Sequence, residues 1–80
     1  MVLCFISQSS GEEYYIKTDA AITPELKEKI DDKIAEVIEA YSNANDGDFY
    51  DFRIADAVEE VMDDLGISFT EYKPEMVIYY

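Results

Sequence analysis

Adjacent carboxylates recur in this chain, at Asp31-Asp32, Glu59-Glu60 and Asp63-Asp64. Two carboxylates flanking a bond can divide general-acid and general-base work when their environments push their pKa values apart. Such a separation needs burial or a charged neighbour. The apolar pattern around these pairs places all of them on exposed helix faces, where neither is supplied. The chain has no histidine, so the commonest general base and metal ligand is missing. These residues predict a protein that is not an enzyme, with no catalytic residue, no metal and no cofactor.

Asn43-Ala44-Asn45-Asp46-Gly47-Asp48 is oxygen-rich enough to suggest a calcium loop. An EF-hand needs ligands at loop positions one, three and five, glycine at six and glutamate at twelve. With Gly47 as the glycine, Ser42, Ala44 and Asp46 take the ligand positions and Arg53 the twelfth. The match fails, and a turn leading into a helix fits better. Cys4, the single cysteine, can form no internal disulfide, which suits a reducing compartment. It sits in an apolar strand with no basic neighbour, so a buried, inert thiol is expected.

The stretch from Asp46 to Gly66 organises the rest. Ile54, Val58, Val61 and Leu65 recur at three- and four-residue steps, the period of a helix with one buried face. Asp56, Glu59, Glu60, Asp63 and Asp64 fill the other side, and Arg53 is the only cation nearby. Asp63 and Asp64 fall in the last turn, where the helix dipole disfavours each by roughly 0.3–1 kcal/mol. A helix tuned for stability would place lysine or arginine there. One account is a solvated face, such as a salt-adapted surface would also show. The other is a docking surface for a basic protein. Residues four apart on a helix are about 6 Å apart along its axis, against one phosphate per ~3.4 Å on each strand of duplex DNA. The rows Asp56–Glu60–Asp64 and Glu59–Asp63 would then approximate part of a phosphate track. Asp48 and Asp51 extend the acidic run, and Phe49, Tyr50 and Phe52 beside them look like an aromatic anchor inside an acidic rim. The predicted partner-binding residues are Asp48, Phe49, Tyr50, Asp51, Asp56, Glu59, Glu60, Asp63 and Asp64.

The elements that would hold this surface follow from local patterning. Met1 to Ser7 reads as a strand apolar on both faces, hence central in its sheet. Ser9-Ser10-Gly11 marks a turn, and Tyr14 to Thr18 completes a hairpin. Thr23 is a good N-cap, with Pro24 at the first helical position. Ile22, Leu26, Ile30, Ile34, Val37, Ile38 and Tyr41 form the apolar stripe of this first helix. Its outer face mixes Lys27, Lys29 and Lys33 with acids, and Glu25–Lys29 is a favourable i,i+4 pair. Gly66 should close the second helix with Ile67 packing back on Met62. Ile67 to Tyr72 alternates as a half-exposed strand would, and Met76 to Tyr80 reads as a final strand beside the first. The fold class is α+β in a single domain spanning residues 1–80. A small, mainly antiparallel sheet of three or four strands carries two helices on one face, in the order β-β-α-α-β(-β).

With 80 residues, 19 acids against 6 bases and a formal charge of −13, the chain is strongly acidic. That charge favours basic partners and argues against direct binding to nucleic acid or an anionic membrane. A hydrophobic share of 49% argues for a folded chain. Val2 to Ile6 lacks a basic start and is too short for a signal peptide or a membrane span, so a soluble cytoplasmic protein is expected. In size, acidity and strand–helix layout the chain resembles the small acidic inhibitors that phages make against host defence, anti-CRISPR proteins among them. The resemblance covers the whole chain at the level of composition and architecture. It implies a protein that occupies the nucleic-acid site of a basic host complex, in the host cytoplasm if the chain is phage-encoded; a monomer or homodimer is expected. The alternative is a structural subunit or homo-oligomer pairing through a sheet edge or a tyrosine-rich face.

Overall fold

A computed structural model of the chain describes residues 1–73. The order is β1 (Val2–Ile6), β2 (Glu13–Lys17), α1 (Pro24–Ala44), α2 (Ile54–Leu65) and β3 (Thr70–Glu71). This is the α+β arrangement that the patterning predicts, with both helices following the hairpin. The strand expected over Met76 to Tyr80 lies outside the described residues.

β1 and β2 pair antiparallel, with Cys4 opposite Tyr15, and β3 pairs antiparallel with β2 on its other side. Among the described strands β2 is therefore the middle one, and the strand expected beside β1 at the centre of the sheet is the one over Met76 to Tyr80. The two faces of β1 differ. Leu3 and Phe5 pack toward the helices, whereas Val2, Cys4 and Ile6 stay exposed on the other face. A strand apolar on both sides need not be buried on both. The thiol of Cys4 is consequently exposed, which corrects the expectation of a buried one. The strand expected over Ile67–Tyr72 shortens to Thr70–Glu71.

The core forms between the inner sheet face and the helices. Tyr14 and Ile16 of β2 meet Ile30 of α1 and Ile54, Val58, Val61 and Met62 of α2. α2 approaches β1 and β2 directly, and α1 packs along α2. Thr18 is buried at the end of β2, where its hydroxyl donates to the Ser68 carbonyl at 2.8 Å. That bond pins the segment after α2 to the sheet.

α1 begins and α2 ends as their sequences direct. The Thr23 hydroxyl accepts the Leu26 N–H at 3.2 Å, and Pro24 occupies the first turn. Gly66 takes a left-handed conformation (φ 68°) after α2. The Ile67 N–H then reaches the Met62 carbonyl at 2.9 Å and the Gly66 N–H the Asp63 carbonyl at 3.1 Å, the paired bonds of a Schellman closure. α2 starts only at Ile54, after the acidic run Asp48 to Asp51. The Asp48 carboxylate accepts the Tyr50 N–H at 2.9 Å, and the Phe52 N–H bonds the Phe49 carbonyl at 3.0 Å. These turns hold the lead-in outside the helix.

Candidate acidic interface

Five carboxylates project from α2, at Asp56, Glu59, Glu60, Asp63 and Asp64, and all five residues are exposed. At 100° per residue they fall within an arc of roughly 140°, opposite Val58, Val61 and Leu65. From Asp56 to Asp64 they cover about 12 Å of the helix axis, in three levels about one turn apart. The amphipathic pattern alone puts them there, because the buried stripe fixes the rotation of the helix against the sheet.

Their electrostatic setting is one-sided. α2 contains no lysine or arginine, and its last turn contains no basic residue to oppose the dipole. Among the described residues the ion pairs are Lys27–Asp31 at 2.7 Å, Arg53–Glu12 at 3.3 Å and Lys73–Glu71 at 3.9 Å. None involves an acid of α2. Arg53 stands at the N-cap of α2, and its guanidinium turns away to Glu12 beside the hairpin turn. On α1 the pair that forms is Lys27–Asp31, not the expected Glu25–Lys29.

Glu59 lies at the margin of this face, next to the sheet. Burial, followed by the charges of Glu59 and Glu71, pushes the Tyr14 hydroxyl above the usual tyrosine pKa. Glu59 thus borders the core while its residue stays exposed, as the other four acids are.

The predicted site residues outside α2 form a second group. Asp48, Tyr50 and Asp51 are exposed on the loop before α2, with Tyr50 89% exposed. Asp46 and Gly47 both adopt positive φ (52° and 78°) to turn the chain out of α1. Phe49 and Phe52 face inward. Tyr41 meets the tilted Phe49 ring at a centroid distance of 5.7 Å and the Phe52 ring edge-on at 5.2 Å, and the two phenylalanine rings meet edge-on at 5.6 Å. Such contacts add about 0.5–1.5 kcal/mol each beyond area burial. Of the proposed aromatic anchor, only Tyr50 therefore projects into solvent, and Phe49 serves as part of the loop's footing. The sequence carries a sign of this in the spacing of Tyr41, Phe49 and Phe52 around the turn.

Other chemistry finds little footing here. An open groove of about 660 Å³ runs between β1 and α1, lined by Phe5, Ile34, Ile38, Phe49 and Phe52. The carboxylate on its wall belongs to Asp31, which is exposed and held by Lys27. Among the described residues no three His, Cys, Asp or Glu side chains gather closely enough to hold a metal ion. No described helix is long and apolar enough to cross a membrane.

Comparison with protein-family models, curated proteins and solved structures gives no match.

Proposed function

We propose that this protein is a non-enzymatic binding protein whose α2 occupies a basic, nucleic-acid-binding surface of a partner protein. The observation that supports this is the exposed acidic arc of α2, which has no ion-pair partner among the described residues. Like charges held this close raise the energy of the fold. An Arg/Lys-rich groove would relieve that repulsion on binding.

The helix would lie along the groove with Asp56, Glu60 and Asp63 approximating part of a phosphate track. Tyr50, with Asp48 and Asp51 beside it, would make the contact at the N-terminal end of the helix. Electrostatic steering would speed association and make it fall with salt. The role that fits such a surface is inhibition by nucleic-acid mimicry, and a phage anti-defence protein of the anti-CRISPR kind is its most specific form.

The test is competition. A partner captured from host lysate on the immobilised chain at low ionic strength is challenged with duplex DNA and with RNA. The proposal expects one of them to displace the partner, and expects 0.5 M salt to do the same. A partner that holds the chain and its nucleic acid together, with no mutual effect, contradicts it.

A further inference from the structure

The outer face of the sheet is the part of the surface that the acidic helix does not explain. Both helices lie on the inner face, so Val2, Cys4 and Ile6 of β1 stand in solvent beside Glu13, Tyr15 and Lys17 of β2. Tyr72 continues the row of Tyr15, since its N–H bonds the Tyr15 carbonyl at 2.9 Å. Among the exposed large apolar residues, Val2, Ile6 and Tyr72 belong to this face, at 46%, 61% and 41% exposure. Unlike the rest of the molecule, the face balances one acid against one base on its two long strands.

The balance has a symmetry. Cross-strand pairing makes three rows across β1 and β2: Val2 with Lys17, Cys4 with Tyr15, and Ile6 with Glu13. A two-fold axis laid along the middle row turns the face over onto a second copy. Lys17 then meets Glu13 of the second copy, Val2 meets its Ile6, and Cys4 and Tyr15 meet their own counterparts. Every charge faces its opposite and every aliphatic side chain faces another, which an isologous interface requires. In the single chain Lys17 has no ion-pair partner among the described residues. The Tyr15 hydroxyl donates to Glu13 at 2.7 Å. That bond is the main cause that raises the Tyr15 pKa above the usual tyrosine range.

We infer that the outer sheet face is a homodimer interface, with a second copy packed across the Cys4–Tyr15 row and Glu13–Lys17 pairs closing it at both ends. Dimerisation there leaves α2 of each copy on an outward side, so the dimer presents two acidic helices in opposite directions. The inference does not depend on what α2 binds.

Sedimentation equilibrium over a wide concentration range tests it, with unfolding curves to show that each variant is folded. The wild type should dimerise. Glu13→Lys sets lysine against Lys17 at both ends, and Lys17→Glu does the same with two carboxylates. Each should raise the dimer dissociation constant about tenfold or more, because apposed like charges are strongly unfavourable. The combination Glu13→Lys/Lys17→Glu restores opposite charges and should restore dimerisation. Packed sheets lie about 10 Å apart, so a short bis-maleimide should join two wild-type chains through Cys4. A wild type that stays monomeric at every concentration overturns the proposal. So does a dimer that both single variants leave unchanged, or a double variant as weak as either single one.

Discussion

Along α1, Thr23 caps the first turn, Lys27 pairs with Asp31, and three lysines sit among the acids. Along α2 no side chain caps the first turn, and no base accompanies the five acids. Yet α2 is the better buried of the two. Its 12 residues include five buried ones, whereas the 21 of α1 include Ile30 alone. The longer helix is supported by its own sequence, through cap, proline and mixed charge. The shorter one is supported by the sheet beneath it. Burial makes good what α2 loses to its charges, and this frees its outer side from any need to be stable alone.

That contrast can be broken most readily in the core. Met62→Ala in α2 should lower stability by about 2–5 kcal/mol, as buried large-to-small changes do. Val37→Ala on the half-buried stripe of α1 should lower it by about 1 kcal/mol or less. Urea unfolding of the two variants measures the difference, and equal losses would mean that α2 is not held by burial. The helix starts give the next largest effect. Thr23→Ala should cost about 1 kcal/mol. Arg53→Ala should change the unfolding free energy by at most a few tenths of a kcal/mol, since its pair with Glu12 is exposed.

Charge at the end of α2 sharpens the comparison further. Asp63→Asn and Asp64→Asn should each stabilise the fold by about 0.3–1 kcal/mol by removing a negative charge from the negative end of the dipole. The same changes should weaken partner binding, and variants that stabilise without weakening would separate the two effects. The smallest effect concerns pH. The Tyr14 hydroxyl is raised in the folded chain by burial, then by Glu59 and Glu71. A raised folded pKa gives stability that is complete below the unfolded tyrosine value, about 10, and is lost as pH rises through the folded one. Tyr14→Phe should flatten the alkaline limb of the stability curve, and an unaltered limb would place its origin elsewhere.

Much of this is legible in the sequence alone, wherever a signal is local. Thr23-Pro24 and Gly66 mark helix ends through the chemistry of one or two residues. The stripe of α2 fixes which side its acids take. What could not be read depends on distant neighbours. Val2, Cys4 and Ile6 look like core residues until the sheet places them on its outer face, and no local pattern distinguishes the two faces of an apolar strand. Phe49 and Tyr50 are adjacent aromatics that go opposite ways, because Tyr41 and Phe52 receive only the first. Arg53 reads as a cation set among acids, yet it is drawn off to Glu12, 41 residues away in sequence.

The most direct test of the account changes the same charge in two places. Asp56, Glu60 and Asp63 on α2 are reversed to lysine in one variant, and Glu28, Asp32 and Glu36 on α1 in another; all six residues are exposed. Affinity for the captured basic partner is then measured at one ionic strength. The account predicts that the α2 variant loses binding and the α1 variant keeps most of it. Equal losses would mean that net charge alone attracts the partner and that α2 presents no specific surface.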